Sequence, residues 1–320
     1  MKKLGKIAVF IGCIIGVAAV FYFILQLTIG PKHNTSSTSS VTTTKTTKKA
    51  VTKQVKVEKK QNLKLVALGD SLTFGVGDTT EKGGYVGLIK QKLDKDQPVK
   101  VTTYNAGKTG DRSDQIEKRT NESTEIQTKL KEADVITMTV GGNDLMKVLQ
   151  QNFLSLAQNK LSAAMPSAKE KYATSLQSLL TTVRKYNPDA PVFLISVYNP
   201  FFVYFPTLTQ MQQYTDEWNE VAKDTLAKND NMYFVDVNKQ MSEGQYYGKS
   251  KKKLKKNTEI DLNDTSEAKL EQVLSQDKEK NDYLSDEDNF HPNNKGYRYI
   301  TSQLYKVMVE HKKTWIEGDK

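Results

Sequence analysis

Cysteine is almost absent from this 320-residue chain, and the single one, Cys13, lies within an apolar stretch near the N-terminus. Beyond that stretch the chain can form no internal disulfide bond. The stability of the remainder must therefore come from an ordinary hydrophobic core. About 250 residues remain for it, which is enough for one large domain.

Histidine is also scarce, with three in the whole chain. His33 lies in a Ser/Thr-rich stretch, and His311 lies near the polar end of the last predicted helix. A reaction that uses an imidazole as general base is therefore left with His291 as its candidate.

Most of the chain lacks an excess of positive charge, although the net charge is +10. Residues 1–62 hold eleven of the 47 basic residues and one of the 37 acidic residues, Glu58. They account for the whole excess, so basic and acidic side chains balance in the rest. A nucleic-acid-binding domain normally concentrates positive charge on its folded part. The charge distribution therefore argues against nucleic acid as a partner.

The apolar stretch runs from Ile7 to Leu25 without a charged residue and is long enough to span a membrane. Lys2, Lys3 and Lys6 precede it, and positive charge tends to stay on the cytoplasmic side. A cleaved signal peptide is the alternative, but its apolar region is usually about 7–15 residues long. We predict an uncleaved transmembrane anchor within residues 1–30 and an extracellular location for the remainder of the chain.

Residues 31–62 are rich in Ser, Thr and Lys and contain almost nothing apolar enough to bury. This composition predicts a disordered linker. The linker would hold the domain away from the lipid, and contact between its lysines and anionic wall polymer is an open alternative role. Residues 63–320 are left as the folded domain.

From residue 63 onward, short apolar runs alternate with longer helical patterns, which indicates parallel βαβ units. The predicted strands are Leu63–Leu68, Val99–Tyr104, Val135–Val140, Val192–Val197 and Met232–Val237, and the predicted helices are Tyr85–Leu93, Phe153–Tyr186 with a break near Pro166, Thr209–Ala227 and Gly296–His311. The connections are long enough to place helices on both faces of a five-stranded parallel sheet.

The stretch from Gly244 to Asp282 differs from the rest because it combines a lysine cluster with many acids and few large apolar residues. We predict a solvated surface insertion with one short helix, Ser266–Leu274. A lid over the active site or a contact with a polyanion is the functional alternative.

A serine comes directly after the first predicted strand, in Gly69-Asp70-Ser71-Leu72-Thr73. Reactive groups collect at the carboxyl ends of parallel strands, and a sharp turn there would lift the serine hydroxyl above the sheet. The pentapeptide is not the G-x-S-x-G elbow, since Thr73 replaces the second glycine. Ser71 is the candidate nucleophile.

His291 lies three residues after Asp288. This spacing would let the carboxylate accept from Nδ1 of the imidazole while Nε2 faces Ser71. Asp286 and Glu287 lie nearby and stay open as alternatives for the acid. The predicted catalytic group is therefore Ser71, His291 and Asp288.

Two loops that contain glycine come after the second and third predicted strands and carry Gly110 and Asn143. The backbone N–H groups of Ser71 and Gly110 and the side-chain amide of Asn143 are the candidate donors for an oxyanion hole. Glycine allows the backbone to approach a substrate closely. Either loop, taken alone, is equally consistent with ordinary turn formation.

These sequence blocks, in this order, resemble those of the SGNH hydrolase superfamily, also called GDSL lipases or esterases, over residues 63 to about 311. The family's conserved positions fall on Ser71 in block I, Gly110 in block II, Asn143 in block III, and Asp288 and His291 in block V. The resemblance implies a three-layer α/β/α, flavodoxin-like fold, no metal or other cofactor, and cleavage of carboxylic esters or thioesters. The anchor and linker look like those of Gram-positive surface members.

The function predicted from the sequence is that of an extracellular, membrane-anchored serine esterase that forms an acyl-enzyme on Ser71. An acyltransferase or deacetylase acting on cell-wall glycan would use the same site, and a catalytically silent surface-binding module is a further alternative. Aromatic side chains after the fourth strand are predicted to line an acyl pocket. They are Phe201, Phe202, Tyr204 and Phe205. Acylated glycan and lipid-derived esters both stay open as substrates.

Overall fold

The computed structural model describes residues 60–152, 161–251, 254 and 281–316. The predicted transmembrane anchor and nearly all of the predicted linker lie outside these residues, as does the short helix predicted at Ser266–Leu274. Within the part of the chain that the structure describes, no helix is long and apolar enough to cross a membrane.

Five parallel strands form one sheet, as predicted, in the order β2-β1-β3-β4-β5. Their bounds are β1 Asn62–Gly69, β2 Lys100–Gly107, β3 Val135–Thr139, β4 Val192–Ile195 and β5 Met232–Val235. The predicted bounds differ from these by at most three residues. Strand β1 pairs with β2 on one side and with β3 on the other. The residues just beyond these three strands therefore emerge next to one another at the carboxyl edge of the sheet.

The helices between and after the strands are labelled in chain order. They are α1 Ser71–Phe74, α2 Tyr85–Asp96, α3 Ser113–Glu122, α4 Thr124–Glu132, α5 Gly142–Gln151, α6 Met165–Tyr186, α7 Thr209–Leu226, α8 Asn238–Glu243, α9 Asn294–Glu310 and α10 Lys313–Ile316. The four long helices predicted from the sequence correspond to α2, α6, α7 and α9.

Helix α6 begins later than the sequence indicated. The predicted helix started at Phe153 and broke near Pro166, whereas α6 begins at Met165 with the proline in its first turn. Proline is well suited to this position because the first N–H groups of a helix have no acceptor within the helix. A short 3₁₀ turn, Leu161–Ala163, precedes α6, and residues 153–160 lie outside the described ranges.

The sheet is covered by helices on both faces, which makes the three-layer arrangement expected for an α/β fold. Along β1 the side chains alternate between the two layers: Leu65 and Ala67 face one core, and Val66 and Leu68 face the other. Helices α2 and α9 supply the core that contains Leu65, and helices α3 to α7 supply the opposite one. Both cores leave the carboxyl edge of the sheet free for loops.

The base of the predicted insertion is described, although most of the insertion is not. The Asn281 side-chain amide donates to Met241 O at 2.8 Å, which fixes the point where the chain returns to the domain. On the outgoing side, Lys251 forms an ion pair with Glu243 at 2.5 Å. Residues 252–253 and 255–280 lie outside the description.

Candidate active site

The turn between β1 and α1 carries Ser71 at the carboxyl end of the sheet. Asp70 caps α1, since its carboxylate accepts the Leu72 N–H at 3.0 Å. Gly69 is required by close packing, because a Cβ on it would lie 2.5 Å from the carbonyl oxygen of Thr139. Ser71 itself is only 4% exposed. The sequence therefore places its hydroxyl in a sharp turn inside a crevice rather than on an open surface.

The structure brings Ser71 and His291 together across 220 residues of sequence. Ser71 Oγ and His291 Nε2 lie 2.8 Å apart, and His291 Nδ1 and Asp288 Oδ2 lie 2.5 Å apart. With Nδ1 protonated and donating to the carboxylate, Nε2 is the acceptor for the serine hydroxyl. Of the three acids considered from the sequence, Asp288 is the one whose carboxylate accepts from this imidazole.

The carboxylate of Asp288 is held by more than the imidazole. Its Oδ1 accepts the backbone N–H of Phe290 at 3.0 Å and that of His291 at 2.9 Å. Burial raises the pKa of Asp288, but its hydrogen bonds and the charge of His291 outweigh burial, so the pKa lies below its ordinary value. The carboxylate therefore stays ionised at neutral pH, as a group that orients an imidazole must.

The loop that carries the histidine is tied to the loop beyond the serine. Asn294 accepts the Thr79 N–H at 3.2 Å and donates to Thr79 Oγ1 at 2.6 Å. Nearby, the Tyr297 hydroxyl donates to Val76 O at 2.7 Å. These contacts join two distant parts of the chain on the side of Ser71 where α1 ends.

Gly110 lies on the loop after β2, and Asn143 lies in the first turn of α5, which follows β3. The Asn143 side-chain amide donates to Asp111 O at 2.9 Å, which holds it against the loop that carries Gly110. Gly110 has a φ of +83°, a conformation that favours glycine. Neither the Ser71 N–H nor the Gly110 N–H has an acceptor among the described residues. Two of the three predicted oxyanion donors are therefore free to bind a ligand.

A second contact joins the first turns of α3 and α5. Ser113, at the start of α3, donates to Asp144 through its hydroxyl at 2.5 Å and its backbone N–H at 3.0 Å. Burial raises the pKa of Asp144, although the hydrogen bonds from Ser113 lower it. The pair restrains the position of Asn143, which directly precedes Asp144.

A buried polar chain beneath the nucleophile was not predicted from the sequence. Thr139 donates to Asp70 at 2.7 Å and contacts the Thr73 hydroxyl at 2.7 Å, which in turn contacts the Tyr85 hydroxyl at 2.9 Å. Burial raises the pKa of Asp70 to about 6, against the opposing effects of its hydrogen bonds and of His291. In the sequence, the only feature that points to this polar chain is the position of Asp70 next to Ser71, and that position does not indicate that Asp70 is buried.

A small pocket of about 30 Å³ opens beside the catalytic candidates. Its wall includes Phe290, which directly precedes His291, and Gly142, which directly precedes Asn143. The rest of the lining is mostly apolar: Leu145, Met146, Leu149, Val197, Tyr198, Asn199, Pro200, Phe201, Met211 and Thr215. This lining favours a small apolar group as the occupant of the pocket.

The prediction of an acyl pocket lined by four aromatic residues is wrong for three of them. Phe201 lines the pocket. Phe202 is buried against Leu254, and Tyr204 and Phe205 are buried in a separate cluster. The cause is local, since the Tyr204 and Phe205 N–H groups both donate to Phe201 O and so turn the chain inward after Phe201.

The chain is similar to known proteins over most of the region that forms this site. The sequence model of the GDSL-like lipase/acylhydrolase family matches residues 67–299. The protein YpmR of Bacillus subtilis, described as uncharacterized, is 30% identical over 250 residues, which is 78% of this chain and 82% of that protein. The spore germination lipase LipC of Bacillus licheniformis is 32% identical over 139 residues, which is 43% of this chain and 65% of that protein.

Among solved structures, the crystal structure of the lipase Lip_vut3 from a goat rumen metagenome matches with a TM-score of 0.56 and 24% identity. The match covers 77% of this chain and 97% of that one. This likeness shows that the two chains share a fold.

Proposed function

Because this chain belongs to the GDSL-like lipase/acylhydrolase family, which is a family of carboxylic ester hydrolases, we propose that it cleaves esters through an acyl-enzyme on Ser71. The observation that carries the proposal is the unbroken line of hydrogen bonds from Asp288 through His291 to the Ser71 hydroxyl. A nucleophile, a base and a group that orients the base are what covalent acyl transfer requires.

In the proposed mechanism, Ser71 Oγ attacks the ester carbonyl carbon while His291 Nε2 takes the hydroxyl proton. The bond to the leaving alcohol then breaks, and His291 returns the proton to that alcohol. Water attacks the acyl-enzyme with His291 again as base, which releases the carboxylic acid and restores Ser71. Asp288 keeps the imidazole in the required tautomer and stabilises its protonated form.

Negative charge develops on the carbonyl oxygen during each attack. We assign its stabilisation to the N–H groups of Ser71 and Gly110 and to the Asn143 amide. The amide has two N–H bonds, and its contact with Asp111 O uses one of them, which leaves the other for the oxyanion. The lack of protein acceptors for the two backbone donors, among the residues described, supports this assignment.

The substrate that we propose carries a short acyl group. The pocket beside Phe290 is small and mostly apolar, and Phe201 forms part of its wall. We expect an acetyl methyl group to bind there, whereas a long acyl chain would require Phe201 or neighbouring side chains to move. The full chain should therefore have its highest kcat/KM on acetyl or propionyl p-nitrophenyl esters, with Ser71→Ala as the blank. A maximum at octanoyl or longer esters would contradict this.

The assignment of the nucleophile can be tested apart from any substrate. A fluorophosphonate probe should label the folded full chain, and Ser71→Ala should abolish the label. Ser178→Ala is a matched control, because Ser178 is an exposed serine on α6 whose hydroxyl donates to Glu117. Labelling that persists in Ser71→Ala would show that a different residue is the nucleophile, and absence of labelling in the native chain would favour the silent binding module.

We also propose that residues 1–30 anchor the protein in the cell membrane and that the domain faces outward. The uninterrupted apolar run and the lysines before it support this. Protease added to intact cells should remove the domain, and alkaline carbonate should not extract the full chain from membranes. Protection of the domain in intact cells, with digestion only after lysis, would contradict an outward orientation.

A further inference from the structure

Arg119 lies on α3, outside every sequence motif of the site, and its side chain reaches the carboxyl edge of the sheet. Its Nε donates to Asp111 Oδ2 at 2.9 Å, its Nη1 to Ala106 O at 3.0 Å and its Nη2 to Gly69 O at 3.2 Å. Each of the three guanidinium nitrogens is thus used on a different segment: the end of β1, the end of β2 and the loop after β2.

The segment after β1 and the loop after β2 carry two of the proposed oxyanion donors, and the third donor contacts that loop. Gly69 lies two residues before Ser71, and Asp111 lies directly after Gly110. The backbone oxygen of Asp111 also accepts the Asn143 amide at 2.9 Å. One guanidinium therefore contacts the Gly69 carbonyl near Ser71 and the Asp111 carboxylate next to Gly110, and Asp111 in turn contacts Asn143.

The contacts are sheltered and directional. The Arg119 side chain is 20% exposed and that of Asp111 is 7% exposed, so water competes little for their hydrogen bonds. A planar guanidinium presents its donors in a fixed fork, whereas a lysine ammonium cannot reach three diverging acceptors in the same way. The arginine consequently fixes the spacing of the three segments rather than merely neutralising Asp111.

We infer that Arg119 is the positioning residue of the oxyanion hole, an inference that rests on the proposed function. It holds the Ser71 and Gly110 N–H groups and the Asn143 amide in one fixed arrangement without touching the substrate. Precise arrangement matters because a displacement of about 1 Å at a reacting group can cost about 10²-fold in rate.

The chain provides a matched control on the opposite edge of the sheet. The guanidinium of Arg184, on α6, also donates to backbone carbonyls, which lie near the amino ends of β4 and β5. These acceptors are the oxygens of Asn187, Ala190, Asp230 and Asn231, at 2.7–3.3 Å. Arg184 therefore also links separate backbone segments, but none of these segments carries a proposed oxyanion donor.

The test compares Arg119→Gln and Arg119→Lys with Arg184→Gln in the full chain. It measures kcat and KM on p-nitrophenyl acetate, the inhibition constant of a trifluoromethyl ketone that mimics the tetrahedral intermediate, and Tm. Arg119→Gln should lower kcat about 10²-fold with little change in KM and weaken the inhibitor by a similar factor. Arg119→Lys should restore only part of the loss. Arg184→Gln should lower Tm at least as much while kcat stays within about twofold.

The inference is overturned if Arg119→Gln keeps kcat within about twofold, or if kcat falls without weakening of the inhibitor. Asp111→Asn keeps the backbone and removes only the charge that Arg119 binds, so it tests the same contact if the arginine variants do not fold. It should lower kcat by a smaller factor than Arg119→Gln does. Turnover that is the same in Ser71→Ala as in the native chain would overturn the proposed function, and this inference with it.

Discussion

The amino edge and the carboxyl edge of the sheet differ in how completely their polar groups are paired in hydrogen bonds. At the amino edge, Asn187 uses its whole side chain, donating to two backbone oxygens and accepting from two N–H groups. At the carboxyl edge, the N–H groups of Ser71 and Gly110 have no acceptor within the described ranges. The buried carboxyl of Asp70 beside them has a pKa raised to about 6.

The contrast indicates that the amino edge mainly stabilises the fold, whereas the carboxyl edge serves the proposed reaction. Saturated hydrogen bonding at the amino edge stabilises the fold, because a buried polar group without a partner is costly. At the carboxyl edge, unpaired N–H groups and a buried carboxyl whose ionised form is disfavoured lower the stability of the fold. Such features are typical of binding and catalytic sites. Changes at the two edges should therefore affect different measurements.

The largest expected effect comes from removing the proposed nucleophile at the carboxyl edge. Ser71→Ala should lower kcat/KM by about 10⁴- to 10⁶-fold, since loss of one member of a serine triad has effects of this size in other enzymes. The substitution deletes one hydroxyl, so Tm should change little. Hydrolysis of p-nitrophenyl acetate and thermal unfolding measure the two quantities. A large fall in Tm with retained turnover would break the comparison.

The next effect concerns the proposed oxyanion hole. Asn143→Ala should lower kcat about 10²- to 10³-fold, because one donor to the developing charge is lost. Asn152→Ala is the matched control, since Asn152 directly follows the same helix and, among the described residues, its amide donates to Val148 O alone, at 2.8 Å. Steady-state kinetics on p-nitrophenyl acetate check both variants. Near-native kcat in Asn143→Ala would remove this residue from the mechanism.

At the amino edge we expect the reverse pattern. Asn187→Ala should lower the free energy of unfolding by about 3 kcal/mol, because it removes the side-chain partner of the buried Ala133 carbonyl and of the buried Ala190 N–H. Turnover per folded molecule should stay unchanged. Urea denaturation and kcat measured on the same preparation test this. A fall in kcat without a fall in stability would show that the two edges are coupled.

The smallest expected effect is a pH dependence. The folded-state pKa of Asp70 lies above its ordinary value, so its contribution to stability is complete below about pH 4 and is lost as the pH rises through about 6. Asp70→Asn keeps an oxygen for Leu72 and Thr139 but cannot ionise. Relative to the native chain, the variant should gain about 2 kcal/mol between pH 4 and pH 7. Urea denaturation at the two pH values measures it, and parallel stability profiles would contradict the assignment.

The strands could be predicted because a parallel strand that is buried on both faces has a short, continuous run of apolar residues in the sequence. Helices α3, α4 and α5 were not predicted. Helix α3 buries Ile116 as its only large apolar side chain, and α4 buries Ile126 and Leu130. Helices α3, α4 and α5 have 10, 9 and 10 residues, which is shorter than the window of about 11–18 residues over which helical periodicity is read.

The pairing of Ser71 with His291 was expected from motif and histidine count, and the structure brings the two side chains together. The surroundings of the site could not be predicted in this way. Burial of Asp70 and the three acceptors of Arg119 depend on segments that are distant in sequence. A local sequence pattern does not indicate which distant backbone carbonyl a side chain will contact in the folded protein. The resemblance to the SGNH hydrolases is confirmed by the family match.

The strand order has a consequence for how the crevice at Ser71 arises. Leaving β1, the chain continues into α2, which packs in one core, whereas the chain leaving β3 continues into α5, which packs in the other. The two connections diverge to opposite faces, so β1 and β3 form a topological switch point, where open α/β sheets hold their ligands. The divergence of the two connections leaves room for a ligand above the carboxyl ends of β1 and β3, and Phe201 and Phe290 line the small pocket there.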